Sequence, residues 1–143
     1  MAILNQAERL KFPGMRIGEA GVMRRWLSVH ETEYDSFDYN VRIGAGRDPG
    51  PSYPDWVRKT ALMSSQLRMD ALAWQGKQAT VIELKNVAYP SGAQKLTVYG
   101  AVWASDNPTL PKPKLLLVCR AMDSATWANT VPAGINVDVL GFG

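Results

Sequence analysis

Two carboxylates and one lysine have the residue types and spacing that could carry out chemistry on a phosphodiester. Asp70 lies in the segment LRMDALAW, and Glu83 and Lys85 lie in the segment VIELK further along the chain. Residues two apart in a β-strand point to the same side, so Glu83 and Lys85 would face together. Carboxylate oxygens are ligands for Mg²⁺ and Mn²⁺, alongside waters and phosphate oxygens. The pattern predicts that Asp70 and Glu83 bind a divalent metal while Lys85 positions water or neutralises charge.

The same residues also have a simpler interpretation as solvated side chains. An exposed Glu and Lys on one strand contribute less than about 1 kcal/mol and need no function. Val81, Ile82 and Leu84, however, make this segment apolar enough for a central strand. A carboxylate and an ammonium group on a central strand are costly unless they are paired or bound to a metal. The apolar context therefore favours the metal site.

The elements that must position these residues are predicted from hydrophobic periodicity. Residues 16–29 carry apolar side chains at helical spacing, and residues 36–43 alternate apolar and polar side chains as a strand does. Residues 66–74 and 79–85 read as two strands. The tripeptide Gln75-Gly76-Lys77 suits a tight turn between them, so the two strands would pair antiparallel.

The second half of the chain adds a helix, two strands and a short helical turn. Ser91 followed by Gln94 is a capping-box pattern, which predicts a helix that starts there. Residues 114–119 are a continuous apolar run, typical of a strand that is buried on both faces. A helical turn over residues 124–130 and a strand over residues 135–140 complete the chain. The order is α-β-β-β-α-β, followed by a short helix and a strand.

Composition and element order together predict the fold class. The chain has 143 residues, of which 46% are hydrophobic and 20% charged, so we expect a single domain over residues 1–143. The element order predicts an α/β or α+β fold in which helices flank a mixed sheet. Cys119 is the one cysteine of the sequence, which excludes a disulfide within the chain and a cysteine zinc site.

Charge and hydropathy narrow the location and the partners. No apolar run approaches the roughly 18 residues that cross a bilayer, and the first residues lack a signal-peptide pattern. The expectation is a cytoplasmic protein without a membrane partner. The net charge of +3 is compatible with a polyanionic partner but does not identify one.

These residues and this element order resemble the PD-(D/E)XK nuclease superfamily. Asp70 matches the metal-binding aspartate of the family, and Glu83-Leu84-Lys85 matches its (D/E)-x-K tripeptide. The family core is α-β-β-β-α-β, which agrees with the predicted order over residues 16–119. The resemblance implies a restriction-endonuclease-like fold and a nuclease that hydrolyses DNA with Mg²⁺ or Mn²⁺. Asp70 and Glu83 would be metal ligands, and Lys85 would be a catalytic residue.

The resemblance extends to residues on the neighbouring elements. Many members have a glutamate on the first helix, and Glu19 is the matching residue, which implies a catalytic role as an outer ligand. Arg68, two residues before the aspartate, resembles the R-x-D form of some members and implies a phosphate contact. Exonuclease-like members carry Gln-x-x-x-Tyr on the next helix. Gln94 and Tyr99 are one residue too far apart for that pattern, so they would not share a helix face. Gln94 also fits as a helix-cap residue, and Tyr99 as a core aromatic.

The proline- and glycine-rich segment of residues 44–56 is a candidate DNA surface. A loop of this length in a packed domain commonly has a task. Tyr53 and Trp56 lie among basic residues, as aromatic side chains do in grooves that bind nucleic acid. The basic residues concerned are Arg47, Arg58 and Lys59. A surface loop that is packed by its own aromatic side chains is an equal interpretation.

His30 and Cys119 have structural interpretations. His30 falls near the end of the first helix, where an imidazole interacts favourably with the helix dipole. Cys119 ends an apolar strand and fits as a small buried hydrophobic residue.

Two functions from different classes follow from the sequence. The first is a DNA nuclease. The second is a non-catalytic protein that reuses the nuclease fold, such as a component of a phage head or neck, because small stand-alone members of the family are often phage-encoded. In that case the chain would be a homo-oligomer or part of a phage assembly, located in the host cytoplasm or in the virion.

Overall fold

A five-stranded mixed sheet forms the centre of the computed structural model, which describes residues 12–142. The expectation that the first residues lack a signal peptide concerns mainly residues 1–11, which lie outside the described residues. The strands stand in the order β1-β2-β3-β4-β5 across the sheet. Their bounds are Ser36–Ile43 for β1, Leu67–Gln75 for β2, Gln78–Ala88 for β3, Lys114–Met122 for β4 and Ile135–Val139 for β5. Pairing is antiparallel from β1 to β3 and parallel from β3 to β5.

Helices cover both faces of this sheet. The helix bounds are Ile17–His30 for α1, Asp55–Ser65 for α2, Pro90–Asp106 for α3 and Ser124–Thr130 for α4, with a short 3₁₀ turn at Glu31–Glu33. On one face α1 buries Met23 and Trp26 against β3 and β4. On the other face α3 buries Leu96 and Trp103. The expected fold class, a mixed sheet flanked by helices, is confirmed.

Most predicted elements agree with the structure to within a few residues. Residues 36–43 form β1 as predicted, and the predicted helical turn at 124–130 is α4. The segment that carries Glu83 is the central strand of the sheet, also as predicted, because β3 lies between β2 and β4. Within the described residues, no helix is long and apolar enough to cross a membrane.

The predicted start of the second long helix is wrong. The N-cap of α3 is Tyr89, and Pro90 is its first residue, so Ser91 lies inside the first turn instead of capping it. Proline is favoured at the first helical position because its φ angle is already helical and no hydrogen bond from its nitrogen is needed there. The capping-box role of Gln94 is therefore wrong as well.

Helix α2 was not predicted. The expected loop over residues 44–56 is irregular only up to Pro54, and α2 follows from Asp55 to Ser65. No residue of α2 is fully buried. Val57, Ala61 and Leu62 lie at helical spacing, so the sequence did carry a signal for α2, although these side chains are only half-buried in the structure.

The strands β2 and β3 separate at the two carboxylates. Their pairing runs from Gln75↔Gln78 to Ala71↔Ile82 and ends there, whereas β3 continues to pair with β4. Beyond that point the backbone N–H of Leu84 donates to Asp70 Oδ2 at 2.9 Å. The side chain of Asp70 thus takes the place of a main-chain acceptor, and the separation opens a cleft between the strands.

Candidate functional site

The cleft where β2 and β3 separate has a volume of about 460 Å³. Six of the residues singled out from the sequence line it: Glu19, Arg68, Asp70, Glu83, Lys85 and Tyr99. They come from α1, β2, β3 and α3, so four separate elements contribute to one site. The convergence depends on the sheet order, which places β2 beside β3 and folds α3 back over the sheet.

Glu83 and Lys85 face the same side of β3, as their spacing predicts. The Glu83 side chain is only about 5% exposed, and its Oε1 atom lies 3.4 Å from Lys85 Nζ. The aliphatic part of Lys85 runs beside Gly92 in the first turn of α3. This packing directs the ammonium group of Lys85 into the cleft, where it partly compensates the charge of a buried carboxylate.

The surroundings of Asp70 and Glu83 disfavour the negative charges of their carboxylates. Burial raises the pKa of Asp70, and the hydrogen bond from Leu84 and the charge of Lys85 oppose that rise only in part. Burial also raises the pKa of Glu83, and the nearby charge of Asp70 raises it further. Two like charges with little access to water gain stability from a bound cation.

The donor set fits a small divalent metal. Asp70 and Glu83 offer carboxylate oxygens, and Mg²⁺ is commonly held by one or two carboxylates while waters and substrate phosphates complete its shell. Over residues 12–142 no group of three or more His, Cys, Asp or Glu side chains is arranged to hold a metal. A pair of carboxylates would therefore hold the ion only weakly until a phosphate oxygen joins them.

Glu19 lies on the α1 side of the cleft and also caps its helix. The backbone N–H of Arg16 donates to Glu19 Oε2 at 3.3 Å, which satisfies one of the free N–H groups before α1. The charge of Glu19 contributes to the raised pKa of Asp70, so the two carboxylates are close enough to interact. A cap and an outer ligand are compatible roles, since a carboxylate has two oxygens.

On α3 it is Lys95 and Tyr99, four residues apart, that line the cleft. Gln94 is exposed and does not line it. Residues four apart share a helix face, so the Lys95-x-x-x-Tyr99 spacing was the available signal. The positive charge of Lys95 lowers the pKa values of both Asp70 and Glu83, which places it within electrostatic range of the pair.

Arg16 and Asn40 are further lining residues that the sequence did not indicate. Arg16 precedes α1, and no motif distinguishes it from other surface arginines. Asn40 has a φ angle of +53° in the middle of β1, a left-handed conformation that is unusual for a residue other than glycine. Backbone strain of this kind is concentrated at functional sites, and Asn40 lines the cleft.

The basic residues of the candidate DNA loop lie outside the cleft lining. The guanidinium group of Arg58 donates from Nη2 to Asp48 Oδ2 at 2.6 Å and from Nε to Asp48 Oδ1 at 3.1 Å. The pKa of Asp48 is lowered to about 2 by this bidentate pair. The charge of Arg58 is thus paired within the protein, and Arg47 and Lys59 are the other two basic residues on this surface.

His30 and Cys119 lie where their structural interpretations place them. His30 is the last residue of α1 and contacts Glu33, with Asp138 3.8 Å from its other ring nitrogen. Cys119 is fully buried in β4. Neither residue lines the cleft.

Comparison with known proteins shows the fold. No family model matches the sequence, and no curated protein matches it. The solved structure described as an EndoMS–dsDNA2 complex superimposes with a TM-score of 0.53 at 13% identity, over 91% of this chain. The chain spans 48% of the length of that protein. At this identity the likeness shows a shared mixed α+β fold, consistent with the restriction-endonuclease-like fold that the resemblance implied.

Proposed function

We propose that the protein is a nuclease that hydrolyses DNA phosphodiester bonds with Mg²⁺ or Mn²⁺. The observation that carries the proposal is the convergence of Asp70, Glu83 and Lys85 on one cleft at the point where β2 and β3 separate. A buried carboxylate on the central strand β3 and a half-buried one on β2, both with raised pKa values and with a lysine beside them, are unusual unless they serve a site.

Each residue has a role that follows from its position. Asp70 and Glu83 would hold the metal, and the N–H of Leu84 fixes the orientation of the Asp70 carboxylate. The metal, when bound, would polarise the phosphodiester and lower the pKa of the attacking water. Lys85 would hold that water or neutralise the charge that develops on the phosphate.

Other residues around the cleft would hold the substrate. Arg68 and Lys95 place positive charge on two sides of the carboxylate pair, and such groups bind phosphates without reading sequence. Glu19 would act as an outer ligand through water. The fold shared with a protein whose structure is described as a complex with dsDNA supports DNA as the substrate.

The test is cleavage of labelled duplex and single-stranded DNA by the purified chain. Cleavage is expected with Mg²⁺ or Mn²⁺ and not in chelator. Asp70→Asn and Glu83→Gln should each abolish it, because each removes a charged metal ligand while keeping the shape of the side chain. Glu31→Gln, which changes an exposed carboxylate in the 3₁₀ turn, is the matched control and should cut as the wild type does.

Two results would overturn the proposal. Undiminished cleavage by pure Asp70→Asn or Glu83→Gln would place the activity elsewhere. A wild-type chain that cuts neither substrate with either metal, and that runs as a large assembly in solution, would support the non-catalytic alternative.

A further inference from the structure

The segment between β1 and β2, residues 44–66, forms an arm beside the cleft. It consists of the irregular stretch after β1 and helix α2, and we call it the arm below. Gln66, which ends the arm, and Leu67 and Arg68, which follow it, line the cleft. The arm therefore leads directly into the site that contains Asp70.

Hydrogen bonds and a close backbone contact within the arm fix its conformation. Gln66 Nε2 donates to the carbonyl of Gly44 at 2.7 Å, and the backbone N–H of Arg47 donates to the hydroxyl of Ser65. Gly46 approaches the backbone of Leu62 so closely that an added Cβ would lie 2.2 Å from the Leu62 carbonyl oxygen. These contacts fix which face of α2 turns towards the irregular stretch and which face is left to solvent.

The solvent face of α2 carries large side chains. Trp56 is 72% exposed and Met63 is 50% exposed. They are seven residues apart, which places them on one side of the helix about 10 Å from each other. Lys59 lies between them on the same side. Leu67, also exposed, follows at the edge of the cleft. We call this row, Trp56 to Leu67, the arm face.

The chemistry of the arm face fits unpaired nucleobases. An indole ring gives a sequence-tolerant platform for stacking a base, and a lysine beside it can hold the phosphate that follows. Tyr53, 50% exposed just before α2, offers a second ring. The residues of the row include no acidic side chain. A second copy of the chain docked through the same face about a two-fold axis would bring the two Lys59 charges towards each other, which disfavours that occupant.

We infer that the arm face binds a single-stranded segment of DNA whose phosphate enters the cleft. This inference rests on the proposed function and names the substrate class: single strands, or duplex ends with unpaired bases. In an intact duplex the faces of the bases are covered by their neighbours, so Trp56 would have nothing to stack on.

The experiment measures binding in chelator, where no cleavage occurs, by the anisotropy of labelled DNA. One probe is an oligothymidine of about 12 nucleotides, a length within the usual single-strand site size. The other is a blunt duplex made of two fully complementary strands, which has no unpaired bases. Trp56→Ala should weaken oligothymidine binding roughly 5- to 150-fold, the loss expected for one stacked base. It should leave duplex binding unchanged.

Three further variants distinguish stacking from other effects. Trp56→Phe retains a ring and should recover most of the affinity. Trp127→Ala removes another half-exposed indole, on α4 at the opposite edge of the sheet, and should be silent. Lys59→Gln should reduce the dependence on salt by about 0.7 log units per log of salt, as expected for one phosphate contact on a single strand, whereas Trp56→Ala should leave that slope unchanged.

Each outcome bears on the inference or on the proposed function separately. Equal binding of oligothymidine by the wild type and Trp56→Ala would overturn the inference, as would an equal loss for both probes. A wild type that dimerises, while Trp56→Ala is monomeric, would assign the arm face to a second copy. If Trp56→Ala selectively loses oligothymidine affinity but the wild type never cleaves DNA, single-strand binding by the arm face is supported and the proposed nuclease activity is overturned.

Discussion

Glu83 and Asp70 make the stability of the metal-free protein depend on pH. Burial raises the pKa of Asp70 from 3.8 to about 6 and that of Glu83 from 4.5 to about 7. A carboxyl group with a raised pKa binds its proton more tightly in the folded state than in the unfolded state. Its contribution therefore favours folding at low pH and is lost as the pH rises through the folded pKa.

We expect the difference in stability between Glu83→Gln and the wild type to depend on pH. In chelator at about pH 8 the variant should be more stable by roughly 1 to 3 kcal/mol, since one pKa unit corresponds to about 1.4 kcal/mol. Near pH 4.5 the difference should be small, because Glu83 is then protonated in the folded state and about half protonated in the unfolded state, whose pKa is 4.5. Urea unfolding at several pH values measures it.

Addition of Mg²⁺ at about pH 8 should stabilise the wild type and not Glu83→Gln. Glu31→Gln, which lies outside the cleft, serves as the control and should show neither effect. A Glu83→Gln variant that is less stable than the wild type at high pH would mean that burial of the negative charge on Glu83 does not destabilise the fold.

Lys85 is expected to act on the reaction more than on binding. Lys85→Ala should lower the single-turnover rate of cleavage by roughly 100-fold or more while DNA affinity in chelator stays nearly unchanged, because its charge is needed mainly when the phosphate gains negative charge. The comparison is made at saturating metal, since Lys85 also favours the charged form of Glu83. Lys77→Ala, at the distant hairpin turn, is the control. An equal loss of rate and affinity would make Lys85 a binding residue.

At the scale of secondary-structure elements, those that bury side chains in the core were predicted from the sequence, and helix α2, which buries none fully, was not. Strand β3 was recognised because its apolar run predicts a central position, and the hairpin was recognised from its turn. Helix α2 was not predicted although Val57, Ala61 and Leu62 have helical spacing, and these side chains are only half-buried in the structure. Tertiary context decides the end of the β2–β3 pairing at Ala71↔Ile82, which cannot be read from one strand's residues.

The candidate site was also predicted only in part. Asp70, Glu83 and Lys85 were indicated by type and spacing. Lys95 was not predicted, because the family pattern places a glutamine on this helix and indicated Gln94. The rotation of α3 about its axis is set by the packing of Leu96 and Trp103 against the sheet. Arg16 and Asn40 reach the cleft only through the arrangement of α1 and β1.

Gly46 is expected to hold the arm in place. It has a φ angle of +71°, and its missing Cβ makes room for the Leu62 carbonyl. Gly46→Ala should loosen the arm, with amide exchange over residues 44–66 rising roughly tenfold or more, as for a penalty above about 1.4 kcal/mol. Amides of β3 should keep their protection.

The matched control for this change is Gly76→Ala at the hairpin turn. Gly76 also has a positive φ, of +57°, but no heavy atom lies within 4 Å of its ideal Cβ position. It should leave exchange in the arm unchanged. If Gly46→Ala also leaves that exchange unchanged, the close contact with Leu62 does not hold the arm.

For the whole molecule, the distribution of charge matters more than its sum. The net charge is only +3, yet four basic residues line the cleft: Arg16, Arg68, Lys85 and Lys95. They line the same cleft as Asp70 and Glu83, so the field in the cleft can attract a phosphate backbone although the protein as a whole is weakly basic. Arg58, paired with Asp48, adds little to this field.

The dependence of DNA binding on salt tests this arrangement. Each phosphate contact on a duplex contributes a slope of about 0.9 log units of affinity per log unit of salt. We expect Lys95→Ala to lower the slope by about that amount and to weaken binding to all sequences alike, because phosphate contacts carry no sequence information. Lys77→Ala removes the same charge from the turn between β2 and β3, at the far end of the strands from Asp70, and should leave the slope unchanged. Equal slopes for the wild type and Lys95→Ala, measured in chelator, would mean that the DNA backbone does not pass over the α3 side of the cleft.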